Sequence, residues 1–209
     1  MSFNGIVYDI EIIKGIPSGK DPTLEDIEYC EGWHDHKNMG ISVIAAYDYV
    51  TGRFRTFLRD NFIGFAELLV ERNWHVGFNN IGFDNKVLRA SQIYLGDERS
   101  YDILAEMWRA ADLDPTSFEW NTHGGYGLDE TAMVNMGAKK SGHGALAPVQ
   151  WQRGQYGAVI DYCLEDVRLT KRLMDRILAN GFLVSPKHTD RVLRVRHPEI
   201  IEKGDPNAE

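Results

Sequence analysis

Two carboxylates near the start of the chain constrain its fold more than any other feature. Residues 4–10, NGIVYDI, form a short apolar run rich in β-branched side chains and predict a first β-strand. Asp9 and Glu11 stand two apart at its end. A strand puts residues i and i+2 on one face, so both acids share a face of an otherwise apolar strand. Each raises the other's pKa, and burial adds to the cost. Three arrangements relieve the conflict: both acids face solvent at the strand end, one pairs with an arginine, or a divalent cation lies between them. The pair alone does not choose.

The remaining periodicities give an element order. Residues 41–50 predict a strand, Thr51-Gly52 a tight turn, and residues 53–58 its hairpin partner. Residues 62–70 carry apolar side chains at helical spacing, with Asp60 or Asn61 as the expected cap. A short strand over 75–78 and helices over 84–94, 101–111 and 128–136 follow, the last ending at Gly137. Residues 112–127 and 139–148 read as loops. A long amphipathic helix spans 156–179 and closes at Gly181. Residues 12–40 form a long excursion with a helical turn near 24–29. This order predicts an α/β fold, a mixed sheet with helices on both faces and one antiparallel strand. Residues 1–182 are expected to form one domain, with 12–40 as an insertion after the first strand and 183–209 as a polar tail.

A chain of 209 residues suffices for one compact core. Its net charge of −8 argues against a general nucleic-acid binder, which carries a basic face. Carboxylates gathered to hold divalent cations reconcile an acidic chain with an anionic substrate. No apolar run reaches the ~20 residues of a membrane-spanning helix. The first residues lack the basic start and small-residue cleavage site of a signal peptide. Cys30 and Cys163 suggest no disulfide framework, and a reducing cytoplasm is the expected location.

Further carboxylates complete a constellation. Asp84 follows GFNNIGF at a predicted helix start, where an aspartate is also a routine cap. Tyr162 and Asp166 are four apart on the long helix, side by side on one face. Four carboxylates without a Cys or His ligand set suit hard, oxygen-loving Mg²⁺ or Mn²⁺ rather than Zn²⁺. Two such ions ~4 Å apart can clamp the attacking and leaving oxygens of a phosphodiester.

At this point the sequence resembles the DEDD exonucleases of the ribonuclease H-like superfamily, and is most similar to the tyrosine-bearing branch (DEDDy) found as proofreading domains of family B and family A DNA polymerases. The first motif, Asp-x-Glu, is Asp9-Ile10-Glu11. The second, Gly-aromatic-Asn-x-x-x-Phe-Asp, is Gly77-Phe78-Asn79-Asn80-Ile81-Gly82-Phe83-Asp84. The third, Tyr-x-x-x-Asp, runs from Tyr162 to Asp166. A supporting segment, Gly127-Leu128-Asp129 through Met136-Gly137-Ala138-Lys139-Lys140, is similar to the Leu-Gly-x-x-Lys stretch of family B. The likeness covers residues 4–180. It departs at Ile12, where the family often has Thr, so only backbone is available to the terminal sugar there.

The resemblance implies a five-stranded ribonuclease H-like sheet and two Mg²⁺ or Mn²⁺ ions. Asp9, Glu11 and Asp166 would hold one ion; Asp9, with Asp84 directly or through water, would hold the other. Tyr162 would position the attacking water, and the product would be a 5′-mononucleotide. Ile12, Phe78, Asn79, Lys139 and Lys140 are the expected nucleic-acid contacts, while Phe83 is expected to pack in the core. The expected partner is the 3′ end of a single strand, DNA ahead of RNA. With no polymerase region following, a free-standing nuclease or separate subunit beside a polymerase or replication protein is expected. Lys187, Arg191, Arg194 and Arg196 could extend the strand-binding track or be ordinary charged faces. Trp33-His34-Asp35-His36 has the look of a metal site, but histidines two apart in a loop are usually surface residues. Competing readings are an RNA 3′-end trimming enzyme, a structure-specific or endonucleolytic activity, and a non-catalytic nucleic-acid-binding module.

Overall fold

A computed structural model describes residues 3–18, 22–139, 142 and 144–199. In chain order the elements are β1 (Gly5–Ile12), α1 (His36–Met39), β2 (Ile41–Asp48), β3 (Arg53–Phe57), α2 (Phe62–Glu71), β4 (Trp74–Gly77), α3 (Asp84–Ala90), β5 (Ser100–Asp102), α4 (Ile103–Ala110), α5 (Trp120–His123), α6 (Leu128–Met136), α7 (Ala147–Gln152), α8 (Tyr156–Asn180), β6 (Phe182–Val184) and β7 (Val192–Arg194).

Five strands form one mixed sheet in the order β3-β2-β1-β4-β5. β1 is central: it pairs antiparallel with β2 and parallel with β4, and β4 pairs parallel with β5. A central strand is covered on both faces, and β1 alternates accordingly. Ile6, Tyr8, Ile10 and Ile12 pack into a core with Phe65, Leu68 and Leu69 of α2 and Val87 and Leu88 of α3. Val7 packs into the opposite core with Val43, Val76, Met107 of α4, Ala132 of α6 and Val159, Val167 and Leu173 of α8. Odd-numbered β1 residues therefore face α8, and Asp9 and Glu11 are on that side. The register of β1 against β2 slips between Glu11 and Ile12, an irregularity next to both acids.

The β2–β3 hairpin forms as the Thr51-Gly52 turn predicts, with Gly52 in the left-handed region at φ 67°. Arg72 grips buried Asp48 through two bonds of 2.8 and 2.9 Å and ties this hairpin to the end of α2. Asn61 precedes α2, yet its side chain accepts the Leu58 N–H instead of capping the helix.

Several boundaries differ from the sequence expectation. The helix expected over 84–94 ends at Ala90, because the chain turns at Gln92 with φ 65°. The helix expected over 101–111 begins as strand β5: Tyr101 pairs with Val76, and the helix starts only after Asp102. Three residues are too few for periodicity to reveal. The first expected loop contains α5, and α7 begins in the last two residues of the second. Residues 183–196 are not a solvated tail. β6 and β7 form a hairpin with Leu183 and Leu193 fully buried, while Tyr101 donates to the Arg196 carbonyl at 2.6 Å.

The excursion after β1 is held to the domain at both ends. The Gly15 N–H donates to the Glu28 carbonyl and the Cys30 N–H to the Gly15 carbonyl, and the Gln152 side-chain amide of α7 donates to the carbonyls of Ile13 and Glu28 and accepts the Glu28 N–H. Arg153 pairs with Asp26 at 2.9 Å.

Candidate active site

Asp9 is half-buried on β1, and Glu11 is only 8% exposed. Potential ligand atoms of Asp9, Glu11 and Cys163 all lie within 4.8 Å of one another, a group that could hold a metal ion. Cys163 comes from α8, with its thiol 3.4 Å from the Asp9 carbonyl and 3.6 Å from Asp9 Oδ2. Burial pushes that thiol's pKa well up, and Asp9, Glu11 and Asp166 push it further. In the metal-free fold the thiol thus stays protonated and donates to Asp9, while the other donors of the group are carboxylate oxygens. Such a set fits Mg²⁺ or Mn²⁺.

Asp84 occupies the first turn of α3 and is buried, and its Oδ1 accepts the Ile10 N–H of β1 at 3.2 Å. It is not the helix cap: that position belongs to Phe83. Burial raises the Asp84 pKa to about 7; bonds from its own backbone N–H and that of Ile10 oppose the rise, and the nearby charges of Asp102 and Asp166 add to it. Buried Asp166 thus acts electrostatically on both Asp84 and Cys163. The structure brings Asp9, Glu11, Asp84 and Asp166 to one end of β1, from three separate segments. Acids crowded in low dielectric are the arrangement a cation relieves.

Tyr162 lies one turn before Asp166 on α8 and is half-buried. Gly142 and Gly144 lie against it: a Cβ on Gly142 would come within 2.9 Å of the ring, and one on Gly144 within 3.3 Å of the hydroxyl. The phenol borders a cleft of about 340 Å³ lined also by Leu146, Gln150 and Glu165.

The second motif is built by close backbone approach. A Cβ on Gly77 would lie 2.5 Å from the Asn80 Cβ, so only glycine fits there. Asn79 takes φ 65°, and its N–H and that of Ile81 donate to Asp102 at 2.8 and 3.1 Å. Asp102 also accepts from Leu104 and Ala105 as the cap of α4. Burial raises its pKa to about 6 against the pull of these four N–H groups. Behind the loop, Tyr8 donates to Asn85, Asn80 donates to Tyr8 at 3.2 Å, and Asn85 donates to Ser100 at 3.0 Å. Asp102 is the residue of this site that sequence reasoning missed. Its only signal was an aspartate directly before an amphipathic segment.

The expected nucleic-acid contacts are scattered in character. Asn79 and Lys139 are exposed, Phe78 is half-buried against the α8-side core, and the Ile12 side chain is buried in the other. Lys140 lies outside the described residues. Phe83 packs half-buried against the α2–α3 core. The basic cluster of the last segment is engaged with the protein. Lys187 bonds the Thr122 carbonyl at 2.9 Å, Arg191 pairs with Asp112 at 2.9 Å, and Arg196 chelates Glu106. Arg194 is exposed on β7. Among the described residues, metal-binding geometry occurs at Asp9, Glu11 and Cys163 and not at His34 and His36.

No protein-family model matches the chain, and no curated protein matches its sequence. Among solved structures, the chain is similar to the family B DNA polymerase from the hyperthermophilic archaeon Pyrobaculum calidifontis. The TM-score is 0.54 at 17% identity, over 83% of this chain and 24% of that one. The chain thus spans about a quarter of the polymerase's length. At this identity the likeness speaks to fold, and with the sheet order it gives a ribonuclease H-like α/β architecture.

Proposed function

We propose that the chain is a divalent-metal-dependent 3′→5′ exonuclease of the tyrosine-bearing DEDD type, releasing 5′-mononucleotides from single-stranded DNA. The observation that carries this reading is the close pair Asp9 and Glu11 on β1, with Asp84 accepting the Ile10 N–H between them and Asp166 acting electrostatically on Asp84. The three motifs that supply them sit on separate elements, so this arrangement is a property of the fold. Similarity to a DNA polymerase chain supports the same class of chemistry.

Asp9, Glu11, Asp84 and Asp166 would hold the ions. Bound divalent cations supply Lewis acidity that eases loss of a proton from water and stabilises charge on the leaving 3′ oxygen. Tyr162, one turn before Asp166 on α8, would hydrogen-bond and orient the attacking water; a phenol of pKa ~10 orients better than it abstracts. Asp102 holds the Asn79–Ile81 backbone in place to meet the terminal nucleotides. Burial of Glu11, Asp84 and Asp166 strengthens their charge interactions relative to carboxylates in water.

The test is incubation with 5′-labelled single-stranded DNA, RNA of matched sequence and 3′-blocked DNA, with Mg²⁺, Mn²⁺ or chelator. A ladder shortening from the 3′ end, lost on blocking or chelation, is expected. Unimpaired cutting of the blocked strand contradicts exonuclease action, and preferential RNA cutting reassigns the substrate to RNA.

A further inference from the structure

Trp33 stands on the segment between β1 and β2 with 69% of its surface exposed. Its ring meets Phe83 edge-on with centroids 5.7 Å apart, and His36 meets the same Phe83 at 6.3 Å. Phe83 immediately precedes Asp84 at the start of α3, so these rings sit at the helix end that carries that acid. Lys37 follows His36 on α1 and Lys86 stands three residues after Phe83 on α3; both are exposed, as is His34. After the larger effect of burial, Lys86 and His34 push the His36 pKa down, which places them close to it. The segment also carries two acids: Glu31 is exposed, and Asp35 accepts the Glu31 N–H at 2.9 Å and the Asn38 amide at 2.7 Å.

Aromatic surface interleaved with cations suits single-stranded nucleic acid. Every base has a π-face to stack, and the phosphates take the positive charges. We propose that Trp33 is a stacking platform for an unpaired nucleobase of the strand whose 3′ end reaches Asp84, with Lys37 and Lys86 available to its phosphates. This rests on the exonuclease reading above and adds a substrate-binding role for the 12–40 insertion. Bases in a duplex have their faces covered by neighbours, so the platform favours a single strand.

Steady-state cleavage of an oligothymidylate by the full chain tests this. Trp33→Ala is expected to raise KM about tenfold with kcat changed less than about twofold, the pattern of lost uniform binding. Trp33→Phe is expected to restore KM. A strand with abasic residues in place of its upstream bases is expected to make wild type and Trp33→Ala equal. Because Trp33 is largely exposed, both variants are expected to melt as wild type does. An unchanged KM for Trp33→Ala, or a difference that persists on the abasic strand, overturns the platform while leaving the exonuclease intact. Absence of cleavage by wild type with both Mg²⁺ and Mn²⁺ overturns the exonuclease reading and the platform with it.

Discussion

The Asp102 carboxylate accepts the backbone N–H of Asn79 at 2.8 Å and so ties the loop of the second motif to the start of α4. The same carboxylate takes the N–H groups of Ile81, Leu104 and Ala105. One buried side chain thus caps a helix and fixes a loop that ends at Asp84.

Asp102→Ala is expected to cost about 1–3 kcal/mol, for the lost cap and the stranded buried donors. It should also lower kcat, because the loop loses its anchor. Urea unfolding and single-turnover cleavage check the two effects. A destabilised variant with wild-type kcat would show that the loop keeps its shape without Asp102.

The metal-free protein should become less stable as pH rises through the range where buried Asp84 ionises. The Asp84 pKa is raised from 3.8 to about 7 in the fold. Between those values the folded chain holds a proton that the unfolded chain has released, so stability falls with rising pH. Asp102, raised to about 6, acts in the same direction. Asp84→Asn removes the Asp84 part and keeps an oxygen for the Ile10 N–H. In chelator, the variant's melting temperature should gain on wild type between about pH 5 and about pH 7.5. Mg²⁺ should reverse the trend by favouring wild type. A gap that is the same at both pH values contradicts the assignment.

Tyr162→Phe should reduce kcat by about 10²-fold or less, the lower end of what a positioned proton-handling group contributes. Substrate KM should hardly change. Complete loss of cleavage would make the phenol more than an orienter of water.

Deleting residues 183–209 should destabilise the domain, although the sequence reads there as a polar tail. Leu183 and Leu193 are fully buried, and burying such a side chain is worth about 1.5–3 kcal/mol. Arg196 also meets buried Glu106 at 2.6 Å. A lowered melting temperature, with Arg196→Ala losing about 1–3 kcal/mol by itself, is expected. A truncated chain that melts as the full one does would contradict the hairpin's contribution.

The parts of the site that were legible in the sequence were those with a spacing rule behind them. Period two placed Asp9 and Glu11 on one face, and helical spacing placed Tyr162 beside Asp166. What stayed hidden was tertiary. β5 is three residues long and flows into α4 without a turn residue, so its strand character comes from pairing with β4. Asp102 reads as any cap until the Asn79 loop is folded over it. Leu183 and Leu193 sit in apolar runs of only two or three residues, and only the hairpin brings them together. Arg191 and Arg196 looked free for phosphate because their acidic partners, Asp112 and Glu106, lie 79 and 90 residues away in sequence.

The most direct test of the central claim is release of mononucleotides from 5′-labelled single-stranded DNA by wild type, Asp9→Ala and Asp166→Ala, each with Mg²⁺ and with chelator. The four-carboxylate site predicts stepwise 3′→5′ shortening by wild type with Mg²⁺. It predicts no product from either variant and none from any protein in chelator. Full activity of Asp9→Ala, or cleavage that survives chelation, would contradict it.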